Sequence, residues 1–152
     1  MRKPVFMPIL IIVLLFSGKI NAQDIEAVRK EENKFIYSNS IKLFMGDSIY
    51  VEANATNGSL VDFVIVKSIS DSTKTMSIKF YYDKFGQSNA SILKVTNLFK
   101  KTLYYKAKIK TSRTNRYSGT SIMPIYPRIF GMEMWPYKIE SIILYDFELR
   151  ER

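Results

Sequence analysis

"LYYKAKIK", residues 103–110, is the stretch on which the reading of the fold turns. Leu103, Tyr105, Ala107 and Ile109 alternate with Tyr104, Lys106, Lys108 and Lys110. Successive strand residues point to opposite faces, so this period of two is a strand with one dry and one wet face. Outward from it, "TMSIKFYY" puts Met76, Ile78, Phe80 and Tyr82 on the apolar parity, and "SIYVEA" puts Ile49, Val51 and Ala53 there. Further strands fit at about 38–44, 60–69, 90–97, 121–126 and 139–149. Turn chemistry stands at Gly46-Asp47, Asn57-Gly58, Ser70-Asp71-Ser72, Phe85-Gly86-Gln87, Ser118-Gly119 and Phe130-Gly131.

About eight short strands at regular spacing predict an all-β fold: an antiparallel β-sandwich, immunoglobulin-like or jelly-roll-like. A small lipocalin-like β-barrel is the alternative; size and strand count suit it, but no early Gly-x-Trp signature is present. A membrane barrel fits poorly. Lys79, Lys106, Lys108 and Lys110 occupy the parity that would meet lipid, at about 2–4 kcal/mol each near the midplane.

Residues 1–22 have the plan of a secretory signal peptide. Arg2 and Lys3 precede a twelve-residue apolar run, Val5 to Phe16, and a more polar segment ends at Ala22. The expected product is exported, periplasmic or secreted, soluble, and begins at Gln23. Residues 23–37 read as an N-terminal arm or short helix and 38–152 as one β-domain, with no transmembrane segment after signal removal.

There is no cysteine and no histidine. This removes disulfides, the usual zinc, copper and haem ligands, and nucleophile systems built on histidine or cysteine. No glycine-rich phosphate loop or Asp-rich calcium loop appears, so no cofactor and no metal is expected. Asp146 and Glu148, two residues apart, are the one carboxylate pair on a strand face that suggests a glycosidase, but they lie near a strand end where charges normally meet water. A non-catalytic protein is expected.

The closing segment "EMWPYKIESIILYDFEL", 133–149, holds the only tryptophan. Ile143, Tyr145, Phe147 and Leu149 share one parity while Ile142 and Leu144 make the other apolar, which reads as a strand partly covered on both sides. Trp135 reads as a plug in the preceding loop, closing the sandwich end, with Glu133 accepting from loop amides or a tyrosine hydroxyl. The rival reading is a sugar-stacking Trp135 with Glu133 and Tyr137 beside it.

"LFMGDSIYVEA" at 43–53, "LKVTNLFKKTLYYKAKI" at 93–109, and the block from "SIMPIYP" at 121 through "EMWPYKIESIILYDFEL" together resemble a group of small exported β-sandwich-like proteins of the Bacteroidota with no assigned activity. The resemblance implies kinship and compartment, not a reaction. The pair "LKVTN" and "LYYKAKI" also resembles a strand-turn-strand hairpin of immunoglobulin-like domains.

Without the three bases of residues 1–22, the balance is 20 Lys and Arg against 14 Asp and Glu, a net of +6. No acid occurs from Lys84 to Met132, against ten bases. Tyr104, Lys106, Lys108 and Lys110 therefore form a candidate basic strip for an anionic envelope glycan or other polyanion, weighed against plain solubilisation of a sheet face. Tyr50, Tyr81 and Tyr104, on the polar parity, could stack on sugars or anchor a protein. Asp47-Ser48-Ile49 and Asp71-Ser72-Thr73 match bacterial O-glycosylation triplets at Ser48 and Ser72, against ordinary turn chemistry. The function these signs support is a binding or accessory module for a protein or an envelope glycan, monomeric or weakly associating; a small-ligand barrel carrier is the alternative.

Overall fold

The computed structural model describes residues 35–151. The expected signal at 1–22 and most of the arm expected at 23–37 lie outside the described residues. In chain order the strands are β1 (Ile36–Tyr37), β2 (Ser40–Phe44), β3 (Ser48–Thr56), β4 (Ser59–Val66), β5 (Thr75–Phe85), β6 (Ser88–Asn97), β7 (Thr102–Thr111), β8 (Ser118–Thr120), β9 (Phe130–Trp135) and β10 (Ile139–Arg150). β1 thus lies within the segment expected as an arm. Every pairing is antiparallel.

The ladder runs β1-β2-β10-β4-β3-β5-β6-β9, with β7 on the far side of β10 and β8 on β7. β10 is shared: over Ser141–Leu144 it lies between β2 and β7, and at Glu148 between β4 and β7. The path ends at β1, which pairs with β2, and at β9, which pairs with β6, while the branch through β7 ends at β8. It is an all-β, sandwich-like fold and not a closed barrel, which removes the lipocalin-like alternative.

The core takes Ile49, Val51 and Ala53 from β3, Met76, Ile78 and Phe80 from β5, and Leu103, Tyr105, Ala107 and Ile109 from β7, as the alternation predicts. Tyr82 departs from its parity and is 40% exposed. The β5–β6 hairpin runs on to Phe85↔Ser88, whereas β3 covers β5 only as far as Lys79, so Tyr82 lies beyond the core's edge.

Three expectations are corrected. Residues 93–109 are not a hairpin: β6 pairs with β5 and β9, and β7 with β10 and β8, so their connection crosses between arms of the sheet. Asn97, fully buried, ties this crossing down. Its Nδ2 donates to the carbonyls of Lys101 (2.9 Å), Ile125 (2.8 Å) and Tyr126 (3.2 Å), while its Oδ1 accepts from Phe99 N (2.9 Å). Secondly, 121–126 is not a strand. Pro124 and Pro127 lack the amide a ladder needs, and only Ile125 exchanges bonds with Leu103. Thirdly, Ser118-Gly119 and Phe130-Gly131 lie in strands β8 and β9, not in turns.

The double-sided pattern of β10 also has a different cause from the one expected. Its register shifts between Ile139 and Ser141 and again between Tyr145 and Glu148. Ile142 and Leu144 face the core, Asp146 takes a positive φ of 53°, and Phe147 and Leu149 then face the core on the opposite parity, leaving Ile143 and Tyr145 outward. One extra residue in a bulge flips every side chain after it. β4 repeats the device: Leu60 is in, Asp62 has φ 54°, and Phe63 is in. The two bulges bring Phe63 and Phe147 to 5.2 Å between ring centroids, and Phe147 stacks on Tyr105 at 5.5 Å. Asp suits both bulges because its short polar side chain tolerates the left-handed region better than most.

Candidate binding cleft

β2 leaves β10 at Leu144 and β4 joins it at Glu148, so Tyr145, Asp146 and Phe147 have no ladder partner on that side. A cleft of about 510 Å³ opens there. The β10 bulge forms its floor, the first residues of β4 one wall and the β1–β2 turn the other. Ser38 (φ 43°) and Asn39 (φ 57°) give that turn the doubly positive backbone that matches strand twist in a two-residue hairpin. Ser40 Oγ donates to the Tyr37 carbonyl and stiffens it. The Tyr37 ring stands at the rim, 81% exposed.

The lining pairs aromatic surface with polar groups. Tyr37 and Tyr145 offer ring faces; Asp146, Glu148, Asn39 and the serine hydroxyls offer hydrogen-bond groups; Lys108 lies 5.0 Å over the Tyr145 ring. Both carboxylates are engaged by bases. Lys106 Nζ meets Asp146 Oδ2 at 3.0 Å, and Arg150 binds Glu148 Oε2 at 2.6 Å while lying over Tyr104 at 4.6 Å. The hydrogen bond from Lys106 to Asp146, with the carboxylate charge behind it, raises the Lys106 ammonium above its ordinary range. A carboxylate pair clamped to cations on its own surface suits orientation of hydroxyls better than proton donation to a glycosidic oxygen.

The expected basic strip is therefore only half of what this face carries. Lys106, Lys108 and Lys110 do lie outward with Tyr104, but β10 brings Asp146 to the first and Glu140, at 4.0 Å, to the third. Acids absent from 84–132 arrive from 140–151, including Glu151 on Lys101 at 2.7 Å.

Trp135, Glu133 and Tyr137 are not in this cleft. They belong to β9 and the turn after it, at the open end of the other arm. Trp135 is 8% exposed, within the core cluster, and its Nε1 donates to Thr120 Oγ1 at 3.1 Å, linking β9 to β8 where no backbone ladder does. The burial agrees with the plug and removes Trp135 as an open sugar platform, although the plug stands in a strand and not in a loop. Glu133 Oε1 accepts from Met123 N at 2.8 Å, a loop amide as expected. Tyr137 is exposed; its carbonyl accepts from buried Ser91, whose Oγ also accepts from Ile139 N.

The two O-glycosylation triplets serve their turns. Asp47 Oδ2 accepts from Phe44 N at 2.7 Å. Asp71 Oδ1 accepts from the Thr73 hydroxyl at 2.6 Å and its amide at 2.8 Å, which lowers the Asp71 carboxyl below its ordinary range. Ser48 is exposed at the start of β3, while Ser72 Oγ accepts from Arg128 at 3.3 Å. Tyr50 lines a smaller hollow of about 240 Å³ with Lys79 and Lys94.

Tyr37 and Asn39 carry no sequence signal for this site: a Ser-Asn pair is a weak hairpin cue, and the expected boundary between the arm at 23–37 and the strand at 38–44 falls between them. The chain matches no family model, no curated protein and no solved structure, so the chemistry of the cleft has to be read from its own residues. Among the described residues no helix is long and apolar enough to cross a membrane, and no three acidic residues gather to hold a metal ion.

Proposed function

We propose that this protein is an exported, non-catalytic binding module that holds a glycan chain in the cleft at the β10 bulge. The observation that carries the reading is the lining: an exposed Tyr37 ring and the Tyr145 ring beside ion-paired Asp146 and Glu148 and the Asn39 amide, over an interrupted ladder. Sugar rings present an apolar face for stacking and hydroxyls for bidentate polar contacts, and both kinds of partner stand here together. The near balance of Lys106, Lys110, Arg150 and their carboxylates favours an uncharged or weakly charged glycan over a strong polyanion.

The test is a glycan array followed by calorimetric titration of the best ligand. Tyr37→Ala and Tyr145→Ala should each weaken binding at least about tenfold, the equivalent of 1.4 kcal/mol, while circular dichroism stays unchanged. Binding that survives Tyr37→Ala, or an array with no positive glycan, sinks the reading. Export is tested separately by sequencing the N-terminus of the protein recovered outside the cytoplasm, where Gln23 is expected first.

A further inference from the structure

β9 is a second place where the molecule is unfinished. It ends the sheet path, pairing with β6 from Ser91↔Trp135 to Thr96↔Phe130 without any register shift. Asn97 N bonds to Ile129 O at 2.9 Å. By antiparallel alternation the amides and carbonyls of Gly131, Glu133 and Trp135 then face β6, and those of Phe130, Met132 and Met134 face away from it. Among the described residues no backbone hydrogen bond takes up these outward groups. Residues 120–125 run alongside but meet β9 through inward groups: Thr120 under Trp135, Met123 N on Glu133, and Ile125 over Gly131, where a Cβ would come within 2.7 Å of Ile125 Cγ1.

The side chains around this edge are apolar. Phe130, Met132 and Met134 are exposed on its outer face, and Met123, Tyr126, Ile129 and Tyr137 are exposed around it. Of thirteen large exposed hydrophobics among the described residues, these seven come from fifteen consecutive positions, so the surface is a patch and not scatter. From Ser118 to Tyr137 only Arg128 and Glu133 are charged, against 24% over the whole chain. Both are occupied, Arg128 with Ser72 and Glu133 with Met123 N, and the neighbouring Lys94 lies over the Phe130 ring at 4.3 Å.

We propose that β9 is a dimerisation strand and that its occupant is β9 of a second copy of this chain, paired antiparallel about a two-fold axis at Met132. In that register Met132 faces Met132 of the second copy and Phe130 faces Met134, so apolar meets apolar in the outer row. Glu133 faces Gly131, which has no side chain to crowd it, and no like charges meet. Each outward amide finds a carbonyl. A copy of a basic chain would be repelled at its other surfaces, but on this patch the only cations without a carboxylate partner among the described residues are Arg128, bonded to the Ser72 hydroxyl, and Lys94, lying over the Phe130 ring. A heterologous acidic partner would find most of the chain's bases on other surfaces, with only Lys94 and Arg128 at this edge. The seven side chains expose on the order of 700 Å² per copy, near the roughly 800 Å² per partner of a standard interface. Of the two expected states, monomeric or weakly associating, the proposal takes the second.

The chain has no cysteine, which permits a register-specific test. Paired residues lie about 5.5 Å apart at Cα, within reach of a disulfide. Met132→Cys alone should therefore give a linked dimer under diamide. Phe130→Cys alone should not, its copies being about 13 Å apart at four strand residues, whereas a mixture of Phe130→Cys with Met134→Cys should link. Light scattering should show a dimer for the mature protein at up to about 0.1 mM, where a micromolar interface is nearly saturated, and a monomer for Met132→Lys. Should Met132→Lys fail to fold, amide exchange on the wild type decides: Phe130, Met132 and Met134 should be protected at high concentration and exposed on dilution. A monomeric wild type with unprotected β9 amides, or cross-linking without preference among the three cysteines, overturns the proposal, including where a different protein is found to cover the strand.

Discussion

The outer face of β7 and β10 and the edge at β9 handle charge in opposite ways. On β7 every second residue from Lys106 to Lys110 is a base, and β10 answers with Asp146, Glu140 and a tyrosine ring. At β9 there is almost nothing to answer: its single carboxylate is turned inward to an amide. A run of like charge along a chain is thus weak evidence of a charged surface, since the neighbouring strand can come from forty residues away. A run without charge is stronger evidence of an interface, because a neighbouring strand can add a charge beside it, as β6 does with Lys94, but cannot change the run's own apolar side chains. Polarity and openness then divide as well, with the cleft bordered by bulges and the edge kept straight.

The largest test of this contrast is Trp135. Replacing it with alanine removes a buried ring and its bond to Thr120, the side-chain link between β9 and β8, and should cost about 3–5 kcal/mol in chemical denaturation. Trp135→Phe should keep most of the apolar bulk and cost about 1–2 kcal/mol, chiefly the lost hydrogen bond and a partial cavity. A Trp135→Ala protein as stable as wild type, with an indole in the parent readily quenched by iodide, would show that β9 is not anchored through this ring.

Tyr105 connects the two regions, since it stacks on Phe147 beneath the cleft and feels the charge of Glu133 on β9. Burial first, and that carboxylate second, push its hydroxyl well above the ordinary tyrosine range. The folded state therefore keeps the proton at a pH where the unfolded chain, titrating near about 10, has begun to lose it. Below that pH both states are protonated and the group adds no dependence; as pH rises past it, stability falls. Tyr105→Phe should flatten this alkaline decline in urea midpoints measured from neutral pH upward. An unchanged decline would mean the hydroxyl meets solvent.

Where the two-residue alternation was unbroken, as in 49–53, 76–80 and 103–109, residue type alone told core from surface. It failed where backbone geometry intervened. The apolar residues on both parities of 139–149 record two register shifts, and a bulge has no signature beyond an unremarkable Asp. Strand β9 went unread because Gly131 looked like turn chemistry, when its role is to make room for Ile125 across the sandwich. Of the cleft, Lys108 is legible in the sequence as part of a basic strip, and Asp146 and Glu148 as a carboxylate pair; further residues are not. Tyr37 and Asn39 could not be, since their relation to β10 exists only through pairing of strands about a hundred residues apart. Trp135 and Glu133 stand out in the sequence as neighbours, and in the fold each has its own partner, Thr120 for the buried indole and the Met123 amide for the carboxylate.

Asp146 offers a smaller and sharper test of the bulged side. Its φ of 53° suits Gly and is strained for a β-branched residue, so Asp146→Val should cost about 1–2 kcal/mol while Asp146→Gly should be nearly neutral or slightly stabilising. The same substitutions at Met132, in a straight strand, should reverse in order, with glycine the worse. If valine at 146 were tolerated as well as glycine, the positive-φ bulge could not be what turns Phe147 into the core.

The smallest effect is expected where the sequence promised the most. Lys106→Gln combined with Lys110→Gln removes two of the three strip lysines and releases Asp146 and Glu140. Exposed pairs of this kind gain little because water screens the attraction and holding two long side chains together costs entropy. The melting temperature should therefore be indistinguishable from wild type. Retention on an anionic polymer column should also change little, since each base removed was already offset by a carboxylate a few ångströms away. Were the wild type instead strongly retained, with a steep salt dependence that the double variant flattened, the lysines would be acting together on phosphate-like or sulfate-like charge. The two faces would then differ in the partner each seeks, and no longer in whether charge is spent within the fold.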